Sequence, residues 1–414
     1  MLPIMPDGYL PRLVDARLTA LLADFPAVLL VGPRATGKTT TAARHAQTIL
    51  RLDDPNEAVV ADSVPDAILR GLREPVLIDE WHLAPAILGA VKRAVDSEHG
   101  TGRFIVTGSV HARLDEQTWP GTGRLIEVEM HGLTARELLG ADLTRPPFID
   151  RIAASGVDAV TAPTDPPDLR GYLELALRGG FPDAVRAPDH GRLDWATSYL
   201  SQLFTRDVDG ARDPEKLRRY FEALALNTAG AVTDKTILEA AGITKKTADS
   251  YETLMHNLYV TGAMPAWYSN RLKRLAQLPK RYVLDPLLVA GALRLTADGL
   301  MRDGDMLGRM LDTFVAAQLR AELDAGVERP RLFHLRDQNG RREVDILVEL
   351  DINRIIGIEI KAAGAPRKEA ARHLMWLRDE LGDRFVGGVV FHTGPRVYML
   401  DDRIVAAPIC ALWS

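Results

Sequence analysis

The chain has 414 residues, 46% of them hydrophobic and 26% charged, with a formal net charge of −5. That profile excludes a disordered chain and a single small domain, and implies two or three soluble domains, each able to bury a core. The one cysteine, Cys410, excludes an intrachain disulfide and a thiolate metal cluster; with no signal-like start and no apolar run of membrane length, the expected location is a reducing cytoplasm and no membrane is expected as a partner.

Residues 27–31, AVLLV, predict a short buried strand. It runs into Gly32-Pro33-Arg34-Ala35-Thr36-Gly37-Lys38-Thr39-Thr40, followed by a helix-like stretch through Ile49. Strand, glycine-rich loop and helix stand in the order that a phosphate-binding loop needs. Glycines let backbone amides turn inward around phosphate oxygens, and the helix N-terminus adds partial positive charge. Lys38 is placed to reach the β- and γ-phosphates, Thr39 to ligate Mg²⁺ and Thr40 to donate to the α-phosphate, so ATP and Mg²⁺ are the expected ligands. A second strand, Pro75-Val-Leu-Ile, ends in Asp79-Glu80. Asp79 is assigned to the metal shell and Glu80 to the base that activates water. Residues 83–95 read as a helix. A third strand, Arg103-Phe-Ile-Val, runs into Thr107-Gly108-Ser109. A hydroxyl there can position the attacking water, with Ser109 the first choice and Thr107 the second; a plain turn of small residues is the bland alternative. Three such strands with intervening helices imply an α/β fold, a parallel sheet with helices on both faces.

Gly123-Arg124 follows, then a strand and a Leu-Thr-x-x-Glu helix start. With the P-loop, Ile-Asp-Glu-Trp and Val-Thr-Gly-Ser, this order resembles prokaryotic AAA-type ATPases that carry a C-terminal domain of unknown function 4143. The resemblance runs from about residue 10 to the C-terminus. It implies an ATPase, a homo-oligomer whose sites take an arginine from a neighbour, and Arg124 as a γ-phosphate-sensing or finger arginine. A surface arginine after a glycine turn is the competing interpretation of Arg124.

The expected domains are 1–140 (P-loop ATPase), 141–210 (connector and helical segment), 211–285 (winged-helix-like) and 286–414 (C-terminal α/β). Residues 141–170 are rich in Pro, Asp and Thr, as surface connections are. Helical stretches at 214–229, 234–241 and 245–258 resemble a helix-turn-helix, with Lys245 and Lys246 at the start of its last helix. Residues 262–274 can form a wing, in which Arg271, Lys273 and Arg274 join a basic cluster that Lys280-Arg281 prolongs. Phosphate contact with DNA and a solvated basic edge of a helical packing module both fit.

From Gly308 an amphipathic helix leads into strands at Leu332-Phe-His-Leu, Arg342–Glu349 and Ile355–Lys361. Period-two alternation puts Glu359 and Lys361 on one face, and a hairpin partner brings Asp345 beside them. Two carboxylates and an ammonium on one sheet face suit a Mg²⁺ site for phosphodiester hydrolysis. Asp345 with Glu359-x-Lys361 resembles the restriction-endonuclease-like superfamily. The same residues match the domain of unknown function 4143 pattern of Glu-Val-Asp followed by Ile-Glu-x-Lys, in which an acidic residue of the leading helix completes the cluster; Asp312 stands where that family usually has a glutamate, and His334 and Arg336 are placed to line the same cleft. A charged helix over 366–383 and a strand over 386–392 follow.

Three functions compete. One is a Mg²⁺-dependent AAA-type ATPase acting on DNA. Another is a nucleotide-dependent switch that binds a protein partner, which the acidic balance favours. The third is a working Mg²⁺ nuclease.

Overall fold

In the computed structural model, which describes residues 8–108, 123–161, 163–206, 213–268, 277–326, 329–336 and 341–414, the run Ala27–Val31 is strand β1, buried along its whole length. Alternation sorts its side chains: Val28 and Leu30 join a core with Val14, Leu18 and Leu21 of the helix Val14–Asp24. Leu29 and Val31 join a second core with Ile87, Leu88 and Val91 of the helix Ala86–Ser97. A strand buried on both faces belongs in a parallel sheet sandwiched by helices. The sheet is that: β2 (Thr48–Arg51), β3 (Val76–Asp79), β4 (Phe104–Gly108), β1 and β5 (Leu125–Glu129) lie in the order β2-β3-β4-β1-β5, all parallel.

The helix after the glycine-rich loop is shorter than expected. It spans Lys38–Ala43, because the N–H groups of Arg44, His45 and Ala46 fall back on acceptors three residues earlier and tighten the last turn. Residues 48 and 49, expected as the end of that helix, belong instead to the edge strand β2, in which only Leu50 is buried.

The chain divides into two compact units: up to Leu133 with Asn257–Tyr259, and Thr134–His256 with Val260–Ser414. The second unit opens with the anticipated Leu-Thr-x-x-Glu start, where Thr134 and Glu137 form a reciprocal capping box on the helix Ala135–Leu138. Arg136 of that helix makes a buried ion pair with Glu322 at 3.0 Å. Glu322 lies on the helix Gly304–Ala325, most of whose side chains are buried. The three middle helices span Pro214–Leu226, Asp234–Ala241 and Lys245–Asn257. Close by, β6 (Thr261–Met264) and β7 (Lys280–Val283) form an antiparallel pair.

A six-stranded mixed sheet completes the unit in the order β12-β13-β11-β10-β9-β8. Strands β8 (Arg331–Arg336), β9 (Glu343–Asp351) and β10 (Arg354–Ile360) are antiparallel neighbours. Strand β11 (Phe385–His392) is parallel to β10 and to β13 (Ile404–Pro408), and β12 (Tyr398–Asp401) pairs antiparallel with β13. The helix Arg372–Leu381 covers one face through Leu374 and Leu377. No helix among the described residues is long and apolar enough to cross a membrane.

Candidate functional site

Parallel register sets one end of the first sheet. Val31 is level with Gly108 and Ile78 with Val106, so Gly32, Asp79 and Thr107 meet at the C-terminal edge of three adjacent strands. Gly32 has φ +141°, and a Cβ there would stand 2.3 Å from the carbonyl oxygen of Met130. Gly37, with φ 92°, is left-handed as the chain turns into the helix. Both positions therefore need glycine for a physical reason.

Lys38 is 6% exposed. Its Nζ donates to the loop carbonyls of Gly32 at 3.0 Å and Pro33 at 2.7 Å. Burial pushes its pKa down to about 8, against the pull of Glu80 and Asp79 and with some repulsion from Arg34. Neutral carbonyls do not compensate a buried ammonium, so phosphate oxygens are its better partners. Thr39 Oγ1 donates to Asp79 Oδ1 at 2.8 Å, and Thr107 Oγ1 donates to the same oxygen at 2.5 Å. The Thr107 hydroxyl also accepts from the N–H of Glu80 at 3.3 Å. Glu80 sits in the left-handed region with φ 56°, its carboxylate 3.3 Å from His82 Nδ1. The residues fit Mg²⁺: a hydroxyl and a buried carboxylate already converge at the strand end beside the loop, an oxygen donor set suited to that ion.

Of the remaining assignments here, Pro33 and Thr36 are buried, Arg34 is half-buried, and Ala35 and Thr40 are exposed. Thr36 Oγ1 donates to the Pro33 carbonyl. Ser109 lies outside the described residues, and Thr107 is the hydroxyl found on Asp79. Arg124 stands apart from the loop of its own chain. It precedes Leu125, which is level with Ala27 at the start of β1, whereas the loop begins after Val31. That separation is roughly 15–20 Å of strand, and Arg124 instead pairs with Asp96. It does not reach a nucleotide bound to its own chain.

Sequence reasoning missed Arg12. Its guanidinium, 6% exposed with the residue as a whole, donates to the carbonyls of Thr36 at 2.8 Å and His131 at 2.6 Å, tying the loop to the end of β5. Nothing in the residues around Arg12 advertises this, because its partners are distant in sequence.

The second cluster forms in the other unit. Ile360 N–H donates to Asp345 Oδ2 at 2.9 Å, which fixes β9 against β10. Lys361 Nζ lies 2.6 Å from Glu359 Oε2 and 3.7 Å from Asp345 Oδ2. Burial raises the Glu359 carboxyl, helped by Asp345 and opposed by His373 and Lys361. Burial also lowers Lys361, but Glu359 and Asp345 outweigh it and hold the ammonium protonated. Asp345, Glu359 and Lys361 therefore come together as their alternation and hairpin pairing require.

Asp312 does not join them as a free ligand. Its Oδ2 takes Lys280 Nζ at 2.5 Å and its Oδ1 takes Tyr282 Oη at 2.9 Å. Burial raises its carboxyl to about 6, with Lys280 opposing. An aspartate's short reach leaves its carboxylate at the helix, where β7 satisfies it. Asp345 and Glu359, whose Oε1 is buried without a hydrogen bond, fit a divalent cation; Asp312 does not. His334 is buried, its Nε2 donating to the Leu278 carbonyl at 3.1 Å, and burial lowers its pKa to about 4.

Lys280, Tyr282 and His373 were overlooked as members of this site. Lys280 and Tyr282 are i and i+2 on β7 and share the face toward Asp312, while Arg281 points the other way, to Asp234 at 2.5 Å and Glu252 at 3.3 Å. Lys280 and Arg281, the described members of the expected basic cluster, thus point apart and are each paired with carboxylates. His373 Nδ1 approaches the Glu343 carbonyl at 2.5 Å and Glu359 Oε1 at 3.6 Å, and the carboxylate raises its pKa. Lys245 is exposed and 3.5 Å from Asp234; Lys246 is exposed. Arg271, Lys273 and Arg274 lie outside the described residues.

Residues 24–139 match the family model of an AAA domain. Residues 307–412 match that of a domain of unknown function (DUF4143), and residues 169–299 that of another (DUF8612). Two relatives, the uncharacterized proteins Rv2008c of Mycobacterium tuberculosis and Mb2031c of Mycobacterium bovis, are each 27% identical over 402 residues, covering 95% of this chain and 82% of theirs. Among solved structures, the Walker-type ATPase PABY2304 of Pyrococcus abyssi is similar over 71% of this chain and 99% of its own, at 14% identity and a TM-score of 0.41. The chain therefore carries an AAA domain toward its N-terminus and a DUF4143 domain toward its C-terminus.

Proposed function

We propose that the chain is a Mg²⁺-dependent ATPase of AAA type whose second unit acts on DNA. The observation that carries the nucleotide part is the buried Lys38, bonded among the described residues to loop carbonyls, next to the Thr39–Asp79–Thr107 hydrogen-bond chain. Lys38 exchanges those carbonyls for β- and γ-phosphate oxygens. Magnesium, held by Thr39 and Asp79, supplies charge neutralisation at the phosphates when bound. Glu80 takes the proton of the attacking water, and Thr107 fixes the backbone of Glu80 and the carboxylate of Asp79. With Arg124 at the far edge of its own sheet, an arginine from a second copy completes the site in a homo-oligomer.

The DNA part is supported by the helix Lys245–Asn257, with exposed Lys245 and Lys246 in its first turn beside the β6–β7 hairpin, the arrangement of a winged helix. The Asp345–Glu359–Lys361 cluster adds a restriction-endonuclease-like cleft in which Mg²⁺-assisted phosphodiester hydrolysis is feasible. The protein-partner alternative has its own support: Lys245 and Arg281 are engaged by Asp234 and Glu252, which lowers the positive potential of that surface.

ATP turnover measured with duplex, single-stranded and branched DNA separates these functions. Stimulation by at least one form, lost as salt rises, is expected. Turnover indifferent to all three, with no DNA binding at low salt, overturns the DNA part and leaves the protein-binding switch.

A further inference from the structure

In the second unit, the helices Leu169–Arg178, Asp189–Arg206, Pro286–Leu293 and Ala297–Leu300 line an open cleft of about 620 Å³. That volume lies within the range of small-molecule sites, roughly 300–1,000 Å³. Part of its wall is apolar: Leu175, Leu193, Leu287 and Leu295. Two guanidinium groups, those of Arg178 and Arg192, line it as well.

Arg178 is half-buried and, among the described residues, makes no hydrogen bond or ion pair. Its Nε is buried without an acceptor, as is the Nε of Arg192. Burial, then repulsion from Arg192, lowers its pKa, with Asp189 opposing. Arg192 does have a partner, Asp189, whose Oδ1 is 2.7 Å from its NH1 and whose side chain is 90% exposed. The other ionisable groups of the lining are His190, which is exposed, and Glu174, which pairs with Arg170 at 3.9 Å on the rim. Arg170 is itself paired with Asp298 at 2.5 Å, so the charges around the pocket balance, but among the described residues only Asp189 is bonded to either of the two arginines that line it. The helix C-terminus at Arg178 offers a favourable dipole but no acceptor for the guanidinium. Burying a forked cation without an acceptor is costly, and an oxyanion removes that cost through bidentate, charge-assisted bonds.

We infer that this pocket binds a small organic anion, one phosphate monoester or carboxylate group received by Arg178 and Arg192, with an apolar body against the leucines. No side chain of the P-loop or of the carboxylate–lysine cluster takes part, so the inference stands apart from the nucleotide assignment.

The test uses the full chain carrying Lys38→Ala, which silences phosphate binding at the loop. Butyl phosphate, hexanoate, inorganic phosphate and neutral hexanamide are titrated and followed by calorimetry and ligand-induced thermal stabilisation. Saturable millimolar binding of butyl phosphate, hexanoate or both is expected, with none for hexanamide. Which of the two binds identifies the head group. Arg178→Gln and Arg192→Gln should each weaken binding by roughly tenfold, the loss of one charge-assisted contact. Arg178→Met keeps the apolar stem, so it should melt where its parent does while losing the ligand response; Arg192→Gln stands in if that variant fails to fold. Absence of saturable binding by either organic probe overturns the inference. So does binding that both glutamine variants retain in full, or inorganic phosphate binding as tightly as butyl phosphate.

Discussion

Two buried lysines in two units show what a partner does to a charge. Lys38 and Lys280 are 6% and 4% exposed. Lys38 bonds carbonyls, and burial lowers its pKa to about 8. Burial acts on Lys280 in the same direction, yet Asp312, Tyr282 and Asp345 outweigh it and hold its pKa above the ordinary value. One ammonium is left wanting an anion; the other already has its own. The buried ammonium of the loop therefore suits an incoming anion, whereas the Lys280–Asp312 contact cancels charge within the fold.

The largest expected effect follows from that contrast. Lys280→Met leaves the Asp312 charge buried without its cation, and breaking such a pair costs about 3–5 kcal/mol. Thermal or urea unfolding should show the loss, and adding Asp312→Asn should recover part of it. A Lys280→Met variant as stable as the parent would mean that the pair cancels nothing. Next comes Glu80→Gln, expected to keep ATP affinity while lowering turnover by roughly a hundredfold or more, as loss of a general base does; normal turnover would remove Glu80 from that role. The smallest effect is one of pH. Lys38 must be protonated to hold phosphate, and its pKa without nucleotide is about 8. Binding then takes up a proton above that pH, so affinity should be flat near neutrality and fall about tenfold per unit above pH 8. Affinity unchanged up to pH 9.5 would show that the lysine is not desolvated as described.

What could be read in advance follows the range of the interactions. Residues 32–40 are contiguous, and Asp79-Glu80 ends an unmistakable apolar run, so the nucleotide end of the first sheet was legible. The Glu359–Lys361 pair was legible through alternation, and Asp345 through a hairpin. The same alternation separates Lys280 and Tyr282 from Arg281, but nothing local says that Asp312 waits across the fold, and Lys280 with Arg281 read as part of one basic cluster. The edge strands β2 and β12 are four residues each and at most one side chain in each is buried, too weak a pattern to announce a strand. The place of Arg124 was not legible because a motif order gives no strand register; pairing with β1 puts it at the end of the sheet away from the loop.

The central claim is that Lys38 is the cation that an ATP triphosphate completes. Calorimetric titration of ATP with Mg²⁺ into the full chain and into Lys38→Ala tests it most directly. The account predicts one saturable site, weakened at least about a hundredfold by the substitution, the worth of a desolvated charged contact of about 3 kcal/mol, with the melting temperature held or raised because an unpaired buried charge is gone. Equal affinity in the two proteins would contradict it.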